Sequence, residues 1–345
     1  MHRPRIALTL GDPAGIGPEI VAAAWARPEV HAWCRPLAVG PPRVLRRAVA
    51  LRGTRAQVVE VDAPDQVDPS TDVIPCLACG PEDVDRVPAG SIDGRAGQAA
   101  YEAVVAAAGL ALQRRIDAIA TAPLHKEALY RAGHVYPGHT ELLAELCGTR
   151  QFAMMLYLGP GEPLRSPAGL AVVHVTLHTA LRQAVAVLSE DEVLAKCRLA
   201  HQFMQSLMGQ TPRIGVCALN PHAGEGGLFG DEESRIIAPA VRRGQAEGLR
   251  LQGPLPADTL MVRARDGEFE AVVAMYHDQG HIAVKLLGMY RAVNVTLGLP
   301  IVRTSVAHGT AFDRAWQGCA DEQSMVEAIR VAARLAGQLP LAGRP

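Results

Sequence analysis

Three histidines in this chain stand at the ends of three separate apolar runs, and imidazole is the side chain a borderline-soft divalent ion prefers. Ala171-Val-Val-His-Val-Thr-Leu-His178 and Glu270-Ala-Val-Val-Ala-Met-Tyr-His277 each close on a histidine, and Ile214-Gly-Val-Cys-Ala-Leu-Asn220 is followed by Pro221 and His222. A lone histidine is more often structural than a ligand. The joint pattern says more. Parallel strands carry their carboxyl ends to one edge of a sheet, so His178, His222 and His277 are expected there as an open three-ligand site for Zn²⁺ or a similar divalent ion. Glycines in Asn220-Pro-His-Ala-Gly-Glu-Gly-Gly-Leu-Phe-Gly230 suit backbone shaped around such a site. Asp231, Glu232 and Glu233 read as the acidic first turn of a helix, capping rather than catalytic. Asp258 and Asp278 are candidates to orient the histidines or to move a proton, with loop capping as the structural alternative.

A second constellation lies in Asn294-Val-Thr-Leu-Gly-Leu-Pro-Ile-Val-Arg-Thr-Ser-Val-Ala-His-Gly-Thr-Ala-Phe-Asp313. Its β-branched first half reads as strand. Arg303, His308, Gly309, Thr310 and Asp313 then crowd together, as where backbone and polar groups approach a ligand. This is read as the meeting point of a phosphorylated substrate and a nucleotide cofactor. Lysine is rare here, occurring only at 126, 196 and 285, and the remaining basic residues are arginine. A compact, titratable ammonium is therefore informative where it occurs, and Lys126 and Lys285 both fall in motif-like segments.

The elements that must position these groups alternate between strand and helix. Ile6–Leu10, Arg35–Gly40, Gln57–Val61, 73–77 and Asp117–Thr121 read as strands. Ile20–Ala26, Pro42–Arg52, Gly97–Leu112 and Glu141–Cys147 read as helices. That alternation predicts an α/β fold with a largely parallel sheet. Gly11-Asp-Pro-Ala-Gly-Ile-Gly-Pro-Glu19 lies between a strand and a helix, where glycines let backbone N–H groups face an anion, or serves as a tight turn only. Thr121-Ala-Pro-Leu-His-Lys-Glu127 follows a strand directly, and Pro137-Gly-His-Thr-Glu141 sets His139 and Thr140 at a helix start.

Composition bounds the class. With 345 residues, 49% of them hydrophobic, the chain is long enough for two domains. Its 34 basic and 35 acidic residues leave a formal net charge of -1, which gives no reason to expect nucleic acid or an anionic membrane as partner. Neither a secretory segment nor a membrane-spanning run is expected. Seven scattered cysteines fit reduced thiols in the cytoplasm, with Cys76-Leu-Ala-Cys79 read as two small apolar residues rather than a redox pair.

GDPAGIGPE, TAPLHKEAL, GHTE, NPHAGEGG, GPLPADT, YHDQGH, NVTLGLP and RTSVAHGTAFD together resemble the 4-hydroxythreonine-4-phosphate dehydrogenases of vitamin B6 (pyridoxine) biosynthesis, in order and over nearly the whole chain. The resemblance implies two α/β/α domains like those of isocitrate and isopropylmalate dehydrogenases, here 1–135 with 296–345 on the cofactor side and 136–295 on the metal, substrate and dimerisation side. It implies a homodimer with its active site at the subunit interface, a divalent metal (Zn, Mg or Co) on His178, His222 and His277, and substrate contacts from His139, Thr140, Lys285, Asn294 and Arg303. Lys285, Asp258 and Asp278 are then the candidate catalytic groups. Lewis acidity at the metal lowers the pKa of the substrate's C3 hydroxyl, hydride passes to NAD or NADP, and the β-keto acid loses CO₂.

His308, Gly309, Thr310 and Asp313 look like the adenine-side loop of β-decarboxylating dehydrogenases, with Asp321 further along it. The chain departs from the family there, with Ala307 where Asp is usual, Trp316 where Gly is usual, and Asp321 where Asn is usual. Gly280-His-Ile-Ala-Val-Lys-Leu-Leu287 and Thr310-Ala-Phe-Asp313 lean toward relatives that oxidise D-threonate or D-erythronate 4-phosphate, and a further relative acts on a cis-dihydrodiol dicarboxylate. Two other classes compete. A metallohydrolase would use the same histidines with Glu225 as base, and a transferase like the phosphate acetyltransferases would leave the histidines unexplained.

Overall fold

Short runs of Val, Ile, Leu and Ala form the strands of the computed structural model, which describes residues 3–338. In chain order they are β1 (Arg5–Thr9), β2 (Arg35–Gly40), β3 (Gln57–Val61), β4 (Val73–Ala78), β5 (Ala118–Thr121), β6 (Ala153–Leu158), β7 (Leu170–His174), β8 (Arg213–Cys217), β9 (Arg250–Leu255), β10 (Ala271–Ala274), β11 (Ala292–Leu297) and β12 (Val302–Val306). The chain divides into two compact units, Met1–Arg150 with Leu299–Pro345, and Gln151–Gly298.

In the first unit the strand order is β3-β4-β2-β1-β5-β12, every pair parallel. Strands buried on both faces need no polar alternation, and Ile6, Ala7, Leu8, Ala118, Ile119 and Ala120 are fully buried. The helix Gly94–Leu112 lies close on this sheet because its inner face is alanine, with Ala96, Ala99, Ala103 and Ala107 buried. It begins earlier than the periodicity predicts. Asp93 accepts the Arg95 N–H at 2.8 Å and so caps the extra turn.

The division into compact units falls at Arg150 and Leu299, whereas the sequence places the boundaries after 135 and at 296. The helix His139–Leu146 explains the first shift: its Leu142 and Leu143 are fully buried in one cluster with Val104, Ile119 and Ile301, so it belongs to the first core. His139 and Thr140 move with it.

In the second unit the order is β11-β6-β7-β10-β8-β9. β6 is antiparallel to both its neighbours, and β7, β10, β8 and β9 run parallel. The three strands behind the histidine runs are therefore adjacent and share one carboxyl edge. They stop short of the histidines. β7 ends at His174, β8 at Cys217 and β10 at Ala274, so His178 and His222 lie on loops and His277 opens the helix His277–Gly288. No helix among the described residues is long and apolar enough to cross a membrane. All seven cysteines are free, and burial pushes the Cys76 and Cys79 thiols up to about 12, which leaves both protonated and inert.

Candidate active site

Beyond the carboxyl ends of β7 and β10, a surface pocket of about 470 Å³ is lined by Leu177, His178, Thr179, Ala180, Leu181, Ala184, Tyr276, His277 and Asp278. The His178 and His277 rings lie 5.8 Å apart between centroids. Asp278 Oδ1 holds His277 Nδ1 at 2.6 Å, so the Nε2 lone pair is the one offered outward. On its own loop His222 has the same arrangement, with Nδ1 at 3.1 Å from Glu225 Oε2. No three His, Cys, Asp or Glu side chains among the described residues stand close enough as placed to hold a metal ion. Imidazoles are nevertheless the donors a divalent ion takes, and His178 and His277 already line one pocket.

Spacing along the helix His277–Gly288 adds one residue to which sequence reasoning gave no role, His281. His277, His281 and Lys285 recur every fourth position and so share a face. The His277 and His281 rings stack at 3.7 Å, and His281 Nδ1 lies 3.1 Å from His174 Nε2. Burial, aided by its histidine neighbours, pulls His174 down to about 3, and His281 is pulled to about 4 by burial, His277 and Lys285. Both rings stay neutral at physiological pH; His281 stacks on His277, and His174 in turn backs His281. The signal was present as histidines at i and i+4.

Asp258 is exposed in the first turn of the helix Ala257–Arg265, and its Oδ1 accepts the Thr259 N–H at 2.8 Å, which is the capping alternative. Asn294 lies on β11 with Oδ1 buried and unpartnered. Glu233 does not cap its own helix. Its carboxylate instead accepts the N–H groups of Leu219 and Asn220 at 2.8 and 2.7 Å. Burial opposes its ionisation, but those hydrogen bonds outweigh burial and hold it below the usual carboxylate range.

The first unit brings three loops together at the adjacent strands β1, β5 and β12. Asp12 N–H donates to Pro123 O at 2.9 Å and Ile16 N–H to Thr310 O at 3.0 Å, while His125 stacks on Phe312 at 4.7 Å. Glu19 is fully buried and accepts N–H groups from Trp316 and, at 2.8 Å, Gly318. Trp316, the departure from family pattern, donates Nε1–H to Pro13 O at 2.8 Å and lies under the Arg47 guanidinium at 4.0 Å. Gly309 has open space where a Cβ would be, and His308 Nδ1 meets Gly309 O at 2.9 Å. Asp313 is exposed, and Asp321 Oδ1 accepts the Gln323 N–H at 2.8 Å at the head of the last helix.

Arg303 is 1% exposed on β12 and donates to Thr121 Oγ1 at 2.7 Å. Burial pulls it down to about 9 against the opposing influence of Glu141, so the guanidinium keeps its charge at neutral pH. Burial and then the Arg303 charge push His139 well below the usual histidine range, and His139 Nε2 is buried without a hydrogen-bond partner. Thr140 is buried in the first turn of the same helix. A buried cation beside a neutral ring and a helix N-terminus is an environment that favours an anion. Elsewhere in this unit burial raises Asp12 to about 7, with its Oδ2 unpartnered.

The chain is 47% identical over 339 residues to D-threonate 4-phosphate dehydrogenase of Cupriavidus necator, covering 97% of this chain and 98% of that protein. It is 47% identical over 334 residues to 4-hydroxythreonine-4-phosphate dehydrogenase of Geobacter metallireducens, covering 97% and 96%. The crystal structure of 4-hydroxythreonine-4-phosphate dehydrogenase from Klebsiella pneumoniae superposes with a TM-score of 0.86 at 44% identity, over 96% of this chain and 99% of that one. These relatives define an α/β oxidoreductase, for which a nicotinamide-type cofactor is implied. The chain belongs to the family described as pyridoxal phosphate biosynthetic protein PdxA, whose model matches residues 32–332.

Proposed function

We propose that this enzyme carries out metal-dependent, NAD- or NADP-linked oxidation of the C3 hydroxyl of a 4-phosphorylated C4 acid, followed by decarboxylation. The observation that carries this reading is Arg303, a charged guanidinium 1% exposed beside a neutral His139 with an unpartnered Nε2. Arg303, His139 and Thr140 bind the anionic phosphate or carboxylate, and Lys285 and Asn294 supply further polar contacts. His178, His222 and His277 hold the divalent ion, with Asp278 and Glu225 fixing two of the rings. The bound ion supplies Lewis acidity at the C3 oxygen. Proton removal falls to Lys285, Asp278 or Asp258. A bound nicotinamide would take the hydride from C3, and the resulting β-keto acid would lose C1 as CO₂, its C1–C2 electron pair forming an enol toward the C3 oxygen that then takes a proton at C2. The loop His308–Asp313, with Gly309 open to backbone approach, receives the adenine side of the cofactor, and Asp321 borders it.

The main substrate reading is 4-hydroxy-L-threonine 4-phosphate, giving 3-amino-2-oxopropyl phosphate and CO₂. A second reading, D-threonate or D-erythronate 4-phosphate giving dihydroxyacetone phosphate, is favoured by a Cupriavidus necator relative as similar as the Geobacter metallireducens one. The enzyme acts as a cytoplasmic homodimer. Incubation with Zn²⁺, Mg²⁺ or Co²⁺, NAD⁺ or NADP⁺ and each phosphorylated acid tests the proposal. Nicotinamide reduction accompanied by CO₂ is expected with at least one acid, and no reduction with any of them would refute it.

A further inference from the structure

His222 stands in backbone that L-residues seldom adopt. From His222 through Ala223, Gly224, Glu225 and Gly226 the φ angles are 52, 56, 79, 44 and 68°, a left-handed turn in which three residues carry a Cβ. Such a run persists only where its surroundings over-determine it. Inside the turn the hydrogen bonds are long, Leu228 N–H to Glu225 O at 3.4 Å and Phe229 N–H to Gly224 O at 3.2 Å.

Glu233 supplies the stronger restraint. It is 6% exposed, and Oε1 accepts the Leu219 and Asn220 N–H groups at 2.8 and 2.7 Å while Oε2 accepts Asn220 Nδ2–H at 3.0 Å. The other hydrogen of that amide goes to Glu232 Oε2 at 2.7 Å. The same Glu233 Oε2 lies 2.8 Å from where a Cβ on Gly224 would stand, so the carboxylate touches the turn at its entrance and at its middle. It meets amide groups there rather than a cation, and its own backbone is anchored in the Glu233–Ile237 turn, where Ile236 and Ile237 are buried.

We infer that Glu233 is a positioning residue that locks the left-handed turn and thereby sets where His222 presents its imidazole to the metal. The inference rests on the metal reading above. Two variants approach it from opposite sides. Glu233→Gln keeps the shape but turns one acceptor into a donor facing N–H groups, and Gly224→Ala displaces the carboxylate without changing charge, at a φ of +79° that already disfavours a Cβ.

Purified wild type, E233Q, G224A and a His222→Ala reference would be compared by Zn²⁺ calorimetry, by the visible spectrum of the Co²⁺ form, and by amide exchange. Both test variants should exchange faster at Leu219 and Asn220 and bind Zn²⁺ about 10- to 100-fold more weakly, the usual effect of losing a group that orients a ligand. Their Co²⁺ spectra should move toward that of His222→Ala, a change that general destabilisation would not produce. If E233Q fails to fold, G224A decides on the same readings. Wild-type affinity and an unshifted Co²⁺ spectrum in a variant with accelerated exchange would overturn the inference and leave the metal reading standing. Wild type that binds neither Zn²⁺ nor Co²⁺ would remove both together.

Discussion

Arg303 and Asp12 meet the same lack of water with opposite results. Arg303 stays charged, whereas burial lifts Asp12 from 3.8 to about 7, with its Oδ2 unpartnered. A group whose folded pKa lies above its unfolded one favours the fold fully below the lower value and loses that contribution as pH rises through the higher. The native state should therefore weaken between about pH 4 and pH 7 because of Asp12, by on the order of a few kcal/mol at ~1.4 kcal/mol per unit. Asp12→Asn should flatten that dependence. Urea midpoints for both proteins at pH 5 and pH 8 would check it, and identical slopes would count against the assignment. Arg303 was legible as a polar group in an apolar run, and Asp278 as a neighbour of His277. His281 was signalled only by its four-residue spacing from His277, and His174 was not legible, because its importance depends on a ring contact with His281 across 107 positions. Trp316 read only as an anomaly, since its ties to Pro13, Glu19 and Arg47 join distant segments.

Strands and helices were legible where period and composition agree, which covers β1, β2, β3 and β5 and the helix over Pro42–Leu51. Their ends were less so. β7 and β10 stop before His178 and His277 because the loop and helix that follow take over the backbone bonding: Val175 and Thr176 donate to Ala274 O and Met275 O at 2.8 and 3.2 Å. The left-handed turn at His222 was signalled by its glycines but not its handedness, since His222, Ala223 and Glu225 are not residues that favour it. Close packing between elements leaves a cleaner test. A Cβ on Gly97 would stand 2.0 Å from Ala128 O, so Gly97→Ala must push the helix Gly94–Leu112 away from Lys126–Arg131. A loss of about 1–3 kcal/mol is expected from such overpacking. Equilibrium urea unfolding would reveal it, and a stability equal to wild type would contradict the packing described.

For the whole molecule, the order of motifs predicted two α/β units and a largely parallel sheet, while the exact handover depended on which core holds Leu142 and Leu143. On and just beyond the helix His277–Gly288, Ile282, Leu286, Met289 and Tyr290 are exposed, Leu286 at 83%. Ile282, Leu286 and Tyr290 recur every fourth position, beside the row His277, His281 and Lys285 that Met289 continues, and an apolar stripe of this kind suits the proposed homodimer. Leu286→Asp should shift the protein from dimer to monomer in light scattering while the circular dichroism of the fold is kept. An unchanged dimer would place the interface elsewhere. The interrupted first unit also has a consequence during synthesis. β12 pairs with β5, aligning Arg303 with Ile119, across a gap that holds all of Gln151–Gly298. On the ribosome the first sheet must therefore wait, one strand short and with that edge unpaired, until the whole inserted unit has emerged. The buried guanidinium arrives only with that last strand, so the anion site is among the last parts of the nascent chain to be completed.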